Sequence, residues 1–307
     1  MTIKRSNHIR LTREDIILDS VIYFILAVVF FICAYPFWYG LVISLNDSMD
    51  TAKGNLYFWP RVWTLDNYKH FFRDATWLRG FLISVARTVC GSLITTLFTM
   101  LVSYGLSHKQ LVFRKAYMAI IIFSMYFSGG LIPTFLTFRA YGLMNNFLVY
   151  IIPTAISAFN VLVMRSFIEG LPYDLVESAK IDGASEYRIL FTIIMPLSLP
   201  VIATIGLFVC VSQWNQWFDT MLYCSSKKNL ITLQYKLKQV LDAANSMTGD
   251  AVTQEAMASS AEEGSGRVTT TTIRAAMTVI SVVPIACVYP FLQKYFVKGM
   301  TLGAVKG

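Results

Sequence analysis

The chain has 307 residues, 55% hydrophobic and only 14% charged, with a mean hydropathy of +0.55. A soluble domain carries about 25% charged residues, so this composition argues against one and places the chain among membrane proteins. The formal charge of +8 is spread along the chain and gathers beside apolar segments, as flanking residues of membrane spans do, which speaks against nucleic-acid binding.

In chain order, residues 1–19 open with the polar, basic stretch MTIKRSNHIRLTRED, which is too polar for a signal peptide. The apolar run behind it is too long for a signal-peptide core, so it reads as a retained first span. A bilayer core about 30 Å thick needs about 20 apolar helical residues. Six segments reach that length: Ser20–Leu45, Phe81–Leu106, Ala116–Phe138, Phe147–Phe167, Leu197–Phe218 and Ile273–Phe296. In hydrocarbon each must be helical, because backbone groups have no other partners there. The fold class is therefore all-α, a polytopic membrane protein with six transmembrane helices over residues 20–296. Kinks are expected at Pro36, Pro133, Pro153, Pro284 and Pro290.

The basic N-terminus and the compact SHKQLVFRK loop after the second span put both termini in the cytoplasm, with a short tail at 297–307. Two outward segments are long. NLYFWPRVWTLDNYKHFF reads as a short structure at the membrane interface, where Trp and Tyr are favoured. In the outer loop 219–272, LITLQYKLKQVLDAA has helical spacing, and the polar stretch that follows reads as flexible.

Between the fourth and fifth spans lies a polar insert, residues 169–195, containing LPYDLVESAKIDGASEYRILFTIIMP. Pro172 suits a first helical turn. Asp174 and Glu177 sit near the positive end of the helix dipole, and Lys180 is spaced to pair with Glu177. Leu175 and Ala179 share one face. Gly183 offers a left-handed stop, and a second helix runs from about Ser185 to Pro196. Ser178 and Ala179 are small enough to let another surface approach, and the acids offer charge-assisted bonds to a partner's Arg or Lys. Docking and a surface-lying amphipathic helix are both open on this reading.

The five cysteines form no CxxC pair and the three histidines have no ligand spacing, so neither a disulfide framework nor a metal site is expected. No phosphate loop occurs, so the chain is not expected to hydrolyse ATP, and no catalytic cluster points to an enzyme. For a substrate path, SQWNQWFD offers Trp214 and Trp217 for stacking on sugar rings and Gln213 and Asn215 for hydroxyls, with an interfacial aromatic belt as the other reading. Tyr126 and Ser128 in the third span are weaker path candidates. Arg87 lies within the second span, at a cost of about 2.5–3.5 kcal/mol on insertion scales; it either pairs with an acid inside the subunit or snorkels to the edge.

The insert resembles the EAA motif of bacterial ABC importer permeases: Glu177, Ala179, Gly183, Ile193 and Pro196 match, while Ser178 and Met195 depart from it. LPYDLVESAKIDGAS is similar to the carbohydrate-uptake branch. YPFWYGLVISLND, FSGGLIPTFL, WNQWFD and the tail QKYFVKGMTLGAVKG resemble the smaller, maltose-type membrane subunit, and FSGGLIPTFL its complex-oligosaccharide subgroup. The resemblance implies a type I ABC importer permease fold in a bacterial plasma membrane. It implies a coupling helix seated in a cytoplasmic ATPase through Asp174, Glu177, Ser178, Ala179, Asp182 and Gly183. It implies a second ATPase contact through the tail, at Gly299, Gly303 and Lys306. Implied partners are a second, different permease, two ATPase subunits, an extracellular substrate-binding protein and membrane lipid. ATP and Mg would be held by the ATPase, with no cofactor on this chain. The expected function is uptake of a sugar or oligosaccharide by alternating access. The alternatives are another cargo, peptide or amino acid, or an ion-coupled secondary transporter, against which stands the lack of an acid in the spans.

Overall fold

The computed structural model describes residues 13–73, 75–247 and 270–304. Among them there is no strand, only one isolated bridge between Asn46 and Trp63. Contacts divide the chain into two units: Met1–Lys69 with Ser259–Val279, and His70–Ala258 with Ile280–Gly307.

The first unit is built on α1, Arg13–Ser44, a 32-residue helix. At 1.5 Å per residue it is about 48 Å long, more than enough to cross a bilayer core. Almost all of its apolar side chains are exposed, as expected of a surface that meets lipid or another subunit. Its C-terminal end is capped by a compact polar knot. Asn46, fully buried, donates to Asp50 and Thr51 and accepts from the backbone N–H groups of Arg61 and Val62, both at 2.9 Å. Arg61 adds an ion pair to Asp50 at 2.9 Å. The Asn46 donation, followed by Arg61, holds the Asp50 carboxyl below its ordinary range. Asp47 caps the short α2, Ser48–Ala52, and α3 follows at Asp66–Arg73. The NLYFWPRVW stretch leaves Trp59 and Trp63 exposed, and Trp59 packs edge-on against Trp38 of α1. The sequence predicts a short structure here, and this compact aromatic turn is one.

The second unit is organised around α4, Ala75–Ser107. Its inward stripe is made of small and polar residues at helical spacing: Ser84, Arg87, Gly91, Thr95, Thr99 and Ser103 are buried. Between membrane helices small residues permit close approach and hydroxyls hydrogen-bond across, which replaces the hydrophobic drive that lipid removes. The structure shows both effects: the Thr95 hydroxyl donates to Thr154 O at 2.9 Å and the Ser103 hydroxyl to Val161 O at 3.1 Å. A Cβ at Gly91 would meet the Gln213 amide at 2.9 Å.

Two of the expected spans are bent pairs rather than single rods, and a third bent pair joins the end of the insert to the fifth span. The expected span Ala116–Phe138 is α5, Arg114–Tyr126, and α6, Leu131–Ala140, meeting at 115°. The break is FSGG, with Gly130 at φ +84°, and not Pro133, which sits in the first turn of α6 where its missing N–H costs nothing. The fourth expected span begins as 3₁₀ turns over Phe147–Thr154 and bends by 47° into α7, Ala158–Glu169, capped by Ser157. The polar insert then forms α8, Asp174–Ile181, and α9, Glu186–Ile189. A π turn at Leu190–Ile194 leads into α10, Met195–Leu197. At Ser198 the chain turns by 80° into α11, Leu199–Asn215. Helix α12, Leu233–Met247, realises the helical half of the outer loop. The polar half expected to be flexible falls largely on residues 248–269, outside the described residues. Helix α13, Thr270–Ala304, carries Pro284 and Pro290 in its interior. Among the described residues, three long apolar helices and three bent pairs thus supply up to six candidate spans, counting each bent pair as one. Within the second unit α4 packs against α7 and α11.

Candidate functional site

The polar insert is a helix–turn–helix with one face tied down and one face free. Helix α8 ends where the sequence predicts: Gly183 takes φ +75°, and the Ala184 N–H reaches back to Ala179 O at 2.9 Å, closing the last turn. Ser185 then caps α9 through the Arg188 N–H. The inner face of α8 is Val176 and Ala179, each 7% exposed, packed in a cluster with Ile189, Leu190 and Ile194 of the same insert, Met100 and Tyr104 of α4, and Met164 and Ile168 of α7. Leu175 points outward, so the inward partner of Ala179 is Val176, three residues before it.

The expected Glu177–Lys180 pair does not form. Lys180 reaches across the Gly183 turn to Glu186 at 2.7 Å. Glu186 also accepts from the Tyr104 hydroxyl at 2.6 Å and lies 3.5 Å from His108 Nε2. The turn brings a carboxylate with two further partners within reach, and it outcompetes an exposed neighbour on the same helix. The Lys180 and Tyr104 bonds hold the Glu186 carboxyl below its ordinary range, and Glu186 in turn raises the Lys180 ammonium. Sequence reading missed Glu186 because it seeks partners along one helix, not around a turn.

Of the six docking candidates, Ala179 faces its own chain. Asp174, Glu177, Ser178, Asp182 and Gly183 are exposed, and the three acids form no ion pair among the described residues. Gly299 and Gly303 of the tail lie in the last turns of α13, and Lys306 falls outside the described residues.

A second constellation sits at the far end of α11. Arg87 is 1% exposed and resolves the two readings in favour of pairing. Its Nε donates to Gln213 Oε1 at 2.8 Å, Nη1 donates to Gln216 O and Asp219 Oδ1, each at 3.0 Å, and Nη2 donates to Asp219 Oδ2. The guanidinium also lies 4.6 Å from the centre of the Tyr150 ring. Asp219 is the only acid of the WNQWFD segment, so its link to the membrane arginine was the signal available in sequence. Gln213 is buried and donates its amide to Thr154 Oγ1 at 2.7 Å. Trp214 is buried too, its indole N–H donated to Ser281 O at 2.9 Å and its ring edge-on to Phe81. Trp217 lies under Lys238, with the ammonium 5.4 Å from its ring centre, and Asn215 is exposed near Gln234. Tyr126 and Ser128 are exposed and away from this cluster.

Arg87, Gln213 and Gln216 line a cavity of about 520 Å³, together with Thr95, Asn160 and Ser212. Its polar lining offers both donors and acceptors, and the charge of Arg87 is matched by Asp219. Such a wall suits neutral hydroxyls better than a lone ion.

Comparison with known proteins gives a consistent picture. The family model described as "Binding-protein-dependent transport system inner membrane component" matches residues 11–302. The polygalacturonan/rhamnogalacturonan transport system permease protein YtcP of Bacillus subtilis is 37% identical over 94% of this chain and 98% of its own. Protein LplC of the same organism is 39% identical over 89% of each. A permease chain from the crystal structure of a bacterial ABC transporter involved in the import of the acidic polysaccharide alginate superposes with a TM-score of 0.82 at 29% identity, covering 93% of this chain and 98% of that one. With the helix–turn–helix insert, the bent spans and a family match over nearly its whole length, this chain belongs to the binding-protein-dependent transport system inner membrane components, the membrane-spanning permeases of ABC importers.

Proposed function

We propose that the chain passes a sugar or oligosaccharide across a bacterial plasma membrane by alternating access, driven by ATP hydrolysed on two separate ATPase subunits that also hold the Mg. The observation that carries this reading is the acidic face of α8: Asp174, Glu177 and Asp182 are exposed and form no ion pair among the described residues, on a helix whose other face is buried among α4 and α7. A rigid seat with an unsatisfied charged face transmits force, where a loosely tethered helix would absorb it. In this reading the loop 169–195 and both termini, 1–19 and 297–307, are cytoplasmic, and the loop 219–272 is outside. ATPase closure moves α8. The insert carries α7 and α11 with it, and the cavity beside Gln213 opens to alternate sides. Gly299, Gly303 and Lys306 make the second ATPase contact. A second, different permease completes the pathway, and an extracellular binding protein delivers cargo, as in the related alginate importer crystallised with its pentasaccharide-bound periplasmic protein. The carbohydrate names of the relatives support an oligosaccharide cargo.

The test is Glu177→Lys in the complete transporter in proteoliposomes. Uptake and cargo-stimulated ATPase activity are expected to fall at least about tenfold, the effect of losing roughly 1.4 kcal/mol or more of coupling, with membrane insertion unchanged. Wild-type stimulated ATPase activity in the variant contradicts docking through this face.

A further inference from the structure

Beside α8 lies a second cavity, of about 460 Å³, that the transport mechanism does not use. Its polar wall is basic. Of the lining residues, Lys109, Arg114 and Arg165 face one acid, Glu169, a surplus of two positive charges, while His108 lies 3.5 Å from Glu186. Arg114 and Arg165 both pair with the same Glu169 oxygen, Oε1, and both direct Nε to Leu106 O. One carboxylate thus orients two guanidinium forks without saturating them, and Lys109 has no acid partner among the described residues. Ile168, Leu171 and Ile194 add apolar carbons to the lining, with Tyr173 and Val176 at the start of α8. A cavity lined by both cations and aliphatic carbons fits an anion that carries an apolar body.

The connecting loop that supplies His108, Lys109 and Arg114 is itself unusual. Its two middle apolar residues, Val112 and Phe113, are 69% and 75% exposed. Phe113 holds a left-handed backbone, φ +58°, which costs a bulky residue about 1–2 kcal/mol. Exposed apolar side chains between basic residues are accommodated if they enter lipid while the neighbouring cations meet phosphates.

We propose that this cavity binds the phosphate-bearing headgroup of an anionic phospholipid, and that the bound lipid touches α8 and so tunes coupling. The site rests on the cytoplasmic placement of the loop given above, where an anionic leaflet supplies the ligand. Arginine forks recognise phosphate bidentately, and Lys109 adds a mobile point charge.

The experiment uses the intact transporter in nanodiscs of phosphatidylcholine, alone or with phosphatidylglycerol, and counts retained lipids by native mass spectrometry. Wild type is expected to retain phosphatidylglycerol over phosphatidylcholine. Lys109→Gln and, independently, Arg165→Gln are expected to reduce that retention at least about threefold, while Lys53→Gln in the first unit does not. Stimulated ATPase activity of wild type is expected to depend on phosphatidylglycerol more steeply than that of Lys109→Gln. Inorganic phosphate is titrated as a separate arm. If millimolar phosphate displaces the lipid and reproduces its effect on ATPase activity in phosphatidylcholine alone, the ligand is free phosphate and the lipid proposal fails. Equal retention of the two lipids, or retention unchanged in both variants, overturns the site. Lipid counting needs no coupling, so a transporter that fails the Glu177→Lys test still reports on this cavity.

Discussion

Arg87 shows how a single residue can be expensive alone and stabilising in company. A guanidinium inside a span is costly, yet here two bonds to Asp219, one to Gln213 and the Tyr150 ring surround it. Breaking a buried pair by removing one partner costs about 3–5 kcal/mol, because the other charge is left uncompensated, whereas replacing both by apolar residues is often neutral. Asp219→Leu and Arg87→Met are therefore each expected to lower the detergent-solubilised melting temperature markedly, with the double variant recovering most of the loss. Two single losses that simply add in the double variant would contradict the pairing. The sequence carried half of this: the position of Arg87 in a span was plain, and pairing with an acid was one of two readings. What it lacked was the turn after Asn215 that brings Asp219 back to α4. By residue type Gln213 and Trp214 suit sugar contacts or, for the tryptophan, an interfacial aromatic belt. Burial now commits the Gln213 amide to Arg87 and Thr154, and the Trp214 indole to Ser281.

At the scale of elements, the insert is the part most legible in sequence, since its signals are local. Pro172, the first-turn acids, Gly183 and the Ser185 cap each dictate backbone within a few residues, and the observed α8 and α9 follow them. The bends in the spans were less legible, because apolar periodicity looks alike on either side of a break and the prolines drew attention from FSGG. Gly183 gives an element-level test. A Cβ there meets nothing within 4 Å, so a substitution acts only through the left-handed backbone. Gly183→Ala is expected to cost about 1 kcal/mol in the insert, and Gly183→Asn, which tolerates this conformation, less. Hydrogen exchange of α8 should rank wild type, Asn, Ala in increasing opening, and equal opening in both variants would show that the turn is not the constraint. The Lys180–Glu186 bond gives a second test. The Glu186 carboxyl is depressed in the folded insert, so its stabilisation is present above the ordinary carboxylate range and disappears as pH falls through the folded value. Lys180 is raised, so its share is present below the ordinary ammonium range and lost only as pH rises past its folded value. Exchange protection of α8 should therefore decline toward acid, and Glu186→Gln should remove that part of the decline. An identical acid profile in the variant would assign it to other groups.

For the whole molecule, composition and span length placed the chain in the membrane, and the family match over residues 11–302 agrees. Its assembly is where folding and function meet. The apolar face of α1 is exposed over most of its length, and the acids of α8 form no ion pair among the described residues. In the proposed assembly lipid or a second permease covers the first, and a basic cleft of the ATPase answers the second. The most direct measurement is a mild-detergent pull-down of the chain from its native membrane with mass spectrometry of what accompanies it, run beside a variant with Asp174, Glu177 and Asp182 all changed to Lys. The account predicts that an ATPase, a second and different permease and a carbohydrate-binding lipoprotein accompany the wild type, and that the ATPase alone is lost from the variant. Recovery of the chain by itself or only as a homo-oligomer, or an ATPase held equally by both chains, would contradict it.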